Sequence, residues 1–87
     1  MKELKCRKPN LLEMYDFLDK IGGFGEQNVF KLEASCIKAM EPFINFKECG
    51  YETFEDLLAD TSERGLELSK LADQLYGDVI GVFAKKS

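Results

Sequence analysis

Residues 62–84, SERGLELSKLADQLYGDVIGVFA, decide the fold. Leu68, Leu71, Ala72, Leu75, Val79, Val82 and Phe83 recur at intervals of three and four, the period of one helical face. The spacing predicts a helix of about six turns. Asp60 or Thr61 caps it, and Asp60 with Glu63 has the spacing of a capping box. Gly77 and Gly81 stand inside it, four residues apart. A glycine costs roughly 1 kcal/mol against alanine in a helix interior. The pair therefore predicts a close backbone approach by another helix, within the chain or from a neighbouring subunit. The stretch holds too many polar residues for the membrane version of that motif.

Upstream, Thr53 caps a short helix from 54 to about 59, with acids in its first turn where the helix dipole favours them. Lys47-Glu48-Cys49-Gly50 reads as a connector. Before it, a second long helix is predicted from near Glu26 to at least Met40. Val29, Cys36, Met40 and Phe43 form one stripe, and Phe30, Ala34, Ile37 and Ile44 an adjoining one. Pro42 either ends this helix near Glu41 or kinks it, because proline removes a helical hydrogen bond. A first helix is predicted over 11–21, capped by Asn10 with Glu13 three residues on, and stopped by Gly22-Gly23. Leu11, Met14, Tyr15, Leu18 and Ile21 share its face, with Leu12 and Phe17 off that stripe. Gly23-Phe24-Gly25 follows a helix and lacks a third glycine, so it reads as a helix–helix turn and not a dinucleotide loop. Residues 1–8 permit a short extended segment ahead of Pro9. The fold class is therefore all-α: a small bundle of three to four helices with a short extended N-terminal segment. It occupies 1–87 as a single domain, as 87 residues with 45% apolar content suggest.

Composition narrows the function. The chain has no histidine, which removes Ser-His-Asp and Cys-His sites and the commonest metal ligand. Cys6, Cys36 and Cys49 are too far apart for a zinc ribbon and read as free thiols of a reducing compartment. Glu52, Glu55, Asp56 and Asp60 lack the alternation and central glycine of a calcium loop. The expectation is no catalytic residue, no metal and no cofactor. No apolar run approaches the ~20 residues that span a bilayer, and none follows the basic start as in a secretory leader.

The net charge of −4 is unevenly spread. Lys2, Lys5, Arg7 and Lys8 crowd the first eight residues, whereas 41–67 hold eight acids against Lys47 and Arg64. An acidic chain repels phosphate backbones, which argues against nucleic acid and against a helix-turn-helix reading of the first two helices. Opposed zones suit head-to-tail contact between copies. Lys5, Arg7, Lys8, Glu52, Glu55, Gly77 and Gly81 are the candidate oligomer contacts.

Three features carry a resemblance. Arg7-Lys8-Pro9-Asn10 precedes a helix with an acid at Glu13, and a wide apolar and acidic helix follows. Gly50-Tyr51-Glu52-Thr53-Phe54-Glu55-Asp56-Leu57-Leu58 then leads into the long final helix. Together they resemble the tail assembly chaperones of long-tailed, non-contractile phages, especially the short type of lactococcal phages that serves the tape measure protein. The resemblance implies a non-catalytic, all-helical, self-associating protein of the host cytoplasm. It would coat the long apolar tape measure protein until the tail tube polymerises around that client, and would be absent from the finished virion. The client surface is expected among Phe24, Met40, Phe43, Ile44, Phe46 and Phe54, which lie near helix ends and off the tidy stripes. The alternative is a small acidic helical regulator that binds and masks a partner protein.

Overall fold

Asn10 begins the ordered helices. Its side chain accepts the Glu13 N–H at 2.9 Å, and the Glu13 carboxylate accepts the Asn10 N–H at 2.9 Å. This reciprocal cap starts α1, Leu11–Ile21. Gly22 ends it at φ 80°, a left-handed conformation that a side chain would resist. The computed structural model describes residues 3–23, 25 and 27–84. Over these the order continues with α2, Val29–Ala39, two 3-10 turns at Glu41–Phe43 and Phe46–Cys49, α3, Phe54–Leu58, and α4, Glu63–Ala84. The all-α bundle is thus present, with one isolated antiparallel bridge, Cys6 to Ile44, joining an extended arm to it.

Helix α1 is turned about its axis relative to the sequence expectation. Met14, Phe17 and Ile21 are buried, so Phe17, off the expected stripe, is a core residue. Leu11 and Tyr15, on that stripe, are exposed. Tyr15 packs its ring edge-on to Phe83 at 4.9 Å between centroids, which explains why the face extends beyond the core.

Helix α2 starts later than expected. The Asn28 side chain accepts the N–H groups of Phe30 and Lys31 at 3.0 and 3.2 Å, so Asn28 is the cap and Val29 the first helical residue. The expected start at Glu26 lies outside the described residues. Pro42 is resolved as a terminator. The helix stops at Ala39, and Pro42 falls at the start of the first 3-10 turn, where its missing N–H has no bond to lose. The chain then turns, and Met40, Phe43 and Ile44 enter the core together. The expected connector at 47–50 is helical in part, as the second 3-10 turn, and ends on Gly50 at φ 95°.

Helix α3 has the predicted cap: Thr53 Oγ1 accepts the Asp56 N–H at 3.1 Å, and Asp56 returns the contact to Thr53 N–H at 3.3 Å. Its Phe54 and Leu57 are buried. Helix α4 buries Leu68, Ala72, Leu75 and Val79, the four-three-four spacing of a single stripe. The Asp60–Glu63 box does not form. Asp60 instead accepts the Ser62 N–H at 2.8 Å and the Tyr51 hydroxyl. Gly65, one turn into α4, faces the Asp60 backbone so closely that a Cβ there would overlap the Asp60 carbonyl oxygen. Packing of α2 on α4 and of α1 on α2 closes a core in which, among the described residues, no buried side chain is polar or charged.

Candidate functional site

The expected client surface is corrected by this core. Met40, Phe43, Ile44 and Phe54 are buried in it. Phe46 is half-buried, edge-on to the Phe54 ring at 5.8 Å. The physical reason is the break at Ala39: once the helix ends, residues that would have flanked it fold inward through a 3-10 turn. Phe24 lies outside the described residues.

The apolar side chains left in solvent are others. Leu12 is 79% exposed, Val29 69%, Phe30 84% and Leu66 65%. Leu11, Leu12 and Tyr15 form one group on the outer side of α1. Val29 and Phe30 form a second at the start of α2, placed there by the Asn28 cap. Only the off-stripe position of Leu12 hinted at this in the sequence.

The oligomer candidates divide. Arg7 is spent inside the chain: its two Nη groups donate to both Glu13 oxygens at 2.9 and 2.5 Å, and its guanidinium sits 5.1 Å from the Phe43 ring centre. Glu13 is therefore held at about 2, first by the Arg7 hydrogen bond and then by the Asn10 N–H. Lys5, Lys8, Glu52 and Glu55 are exposed and make no ion pair among the described residues. Gly77 and Gly81 make no close approach to another part of the chain, because a Cβ at either would meet nothing within 4 Å. They border a groove of about 390 Å³ between α4 and the arm at residues 6–9.

The arm is fastened at few points. Arg7 N–H donates to the Phe43 carbonyl at 2.8 Å, and Asn45 N–H to the Lys5 carbonyl at 3.3 Å. The Asn45 side chain acts as a third strand-like partner: its Nδ2 donates to the Glu3 carbonyl at 3.0 Å and its Oδ1 accepts the Lys5 N–H at 2.8 Å. Leu4 and Pro9 are buried beneath.

Two of the thiols, Cys36 and Cys6, are held towards the protonated form. Burial pushes Cys36 up to about 11, with Asp73 and Glu33 adding to the effect, and burial also raises Cys6. Asp60 is held at about 2, first by Ser62 and then by the Tyr51 hydroxyl. Among the described residues no group of three or more acids and cysteines is placed to hold a metal, and no helix is long and apolar enough to cross a membrane. Compared with known proteins, the chain matches no family model, no curated protein and no solved structure.

Proposed function

We propose that this chain is a non-catalytic phage tail assembly chaperone. It self-associates and coats the apolar, helical tape measure protein in the host cytoplasm, and it leaves when the tail tube polymerises. The observation that carries the reading is the placement of large apolar side chains outside an already closed core: Leu12 on α1, with Val29 and Phe30 at the start of α2. An amphipathic client helix would lay its apolar side on such positions. Repetition of weak contacts along a long client supplies avidity while leaving each contact releasable. The motif order around Arg7-Lys8-Pro9-Asn10 and 50–58 supports the same family, and the exposed Lys5 and Lys8, with Glu52 and Glu55, suit contacts between copies.

The test is co-expression with an apolar helical tape measure fragment. The native chain is expected to keep the fragment in the soluble fraction, and Leu12→Ser/Val29→Ser/Phe30→Ser to lose that effect while staying folded. A fragment equally insoluble with and without the native chain refutes the client assignment. The exposed acids Glu52, Glu55 and Asp56 around the α3 cap favour the regulator reading instead. That reading requires charge reversal there, and not the apolar triple variant, to abolish binding of a partner.

A further inference from the structure

The Cys6–Ile44 bridge leaves the other edge of the arm free. In this antiparallel arrangement the flanking residues make the bonds, so the main-chain groups of Lys5 and Arg7 point towards 43–45. Those of Cys6, by the alternation of extended chain, point the opposite way. The N–H and C=O of Cys6 and of Lys8 make no hydrogen bond with any described residue. Cys6 and Lys8 also line the groove, whose far wall is α4 from Leu71 to Val82.

We propose that this groove binds an extended peptide segment of another polypeptide, added as a strand to the free edge of the arm against the glycine face of α4. This inference is independent of the chaperone reading. An extended occupant fits better than a helix, because a helix has no spare main-chain groups to satisfy the arm. The far wall is about 16 Å long at 1.5 Å per helical residue, the length of about five extended residues. Gly77 and Gly81 lie about 6 Å apart along α4, close to the repeat of every second strand residue. Two small side chains on one side of the segment would therefore meet the two open glycine positions. Charge narrows the occupant. Lys8 on one wall and Asp78 on the other are both exposed and without an ion pair among the described residues, and Gln74 is a further polar lining residue. The occupant accordingly carries a carboxylate to meet Lys8 and a cation to meet Asp78. Pro9 has no N–H, so strand pairing ends at Lys8.

The probe is the end-blocked pentapeptide Glu-Ala-Val-Ala-Lys, titrated into the isotope-labelled full chain. Amide shifts are expected at 4–8 and 71–82. At saturation the Cys6 amide should exchange about tenfold or more slowly, while Arg7, already bonded to Phe43, changes little. N-methylation of the central valine amide, or Gly77→Leu, should weaken binding by about tenfold, the scale of one lost contact. Gly77→Leu is expected to fold, since a Cβ there meets open space, and Gly77→Ala provides a milder control. Absence of Cys6 protection at millimolar peptide overturns the proposal. So does binding that Gly77→Leu leaves unchanged, or preference for a helical peptide of the same composition. The Leu12/Val29/Phe30 variant retains this binding, so failure of the groove and failure of the chaperone reading are separable.

Discussion

Gly65→Ala is expected to destabilise the protein, although alanine is the better helix former. In an unobstructed helix the substitution gains up to ~1 kcal/mol. At Gly65 the added methyl overlaps the Asp60 carbonyl oxygen, which is main chain and cannot rotate away. Overpacking of a filled site costs typically about 1–3 kcal/mol, and a backbone obstacle belongs at the upper end. The net loss is then about 2 kcal/mol, a large share of the ~4–13 kcal/mol that a domain of this size possesses. It corresponds to a fall in Tm of about 8–16 °C. Gly77→Ala is the matched control: with nothing within 4 Å, it should gain close to the full propensity term. The two substitutions, identical in chemistry and on one helix, should differ by about 3 kcal/mol. Urea unfolding followed by helical circular dichroism measures this, at a concentration where the midpoint is independent of protein concentration and with m unchanged. If Gly65→Ala equals or exceeds the native chain in stability, the tight passage of α4 over Asp60 is wrong.

Two further outcomes are expected. Asn45→Ala removes both side-chain bonds that fasten the arm and should cost about 1–2 kcal/mol; hydrogen exchange should then quicken at Lys5 and Arg7 while the α4 amides keep their protection. Acid should unfold the protein in a defined window. Glu13 and Asp60 are each held at about 2 against ordinary values of 4.5 and 3.8, so the unfolded chain takes up protons first. Their contribution is complete above those ordinary values and is lost as pH falls towards 2. A Tm–pH series should show this fall, and Glu13→Gln should lower Tm near neutrality and flatten the acid limb.

Local chemistry was readable wherever a side chain acts on its own neighbours in sequence. The Asn10–Glu13 and Thr53–Asp56 caps, the Gly22 stop and the α4 stripe are of this kind. The expected client surface failed because helical spacing is informative only while the helix continues. With α2 ended at Ala39, Phe43 and Ile44 obey a different geometry, and Val29 and Phe30, at its start, extend beyond the core. Arg7 was read as a free surface cation, yet its partner Glu13 was legible as a capping residue. One side chain can serve both ends of such a contact, and spacing rules do not reveal it. Gly65 was missed because its neighbour is a loop carbonyl outside the helix that contains it.

The fastening of the arm also dictates an order of events during synthesis. Lys5 and Glu3 find their partner in Asn45, 40 and 42 residues later in the chain. At roughly 5–20 residues per second, the arm waits about 2–8 s before Asn45 has even been made, and longer before it clears the ribosome. The hairpin of α1 and α2 has short-range contacts and can form in that interval. The core still lacks Leu68, Ala72, Leu75 and Val79 at that stage, so the half-built chain presents an apolar surface with no cover. Completion of α4 is therefore the event that closes the molecule, whereas the arm, whose partners lie at 43–45, can dock before it.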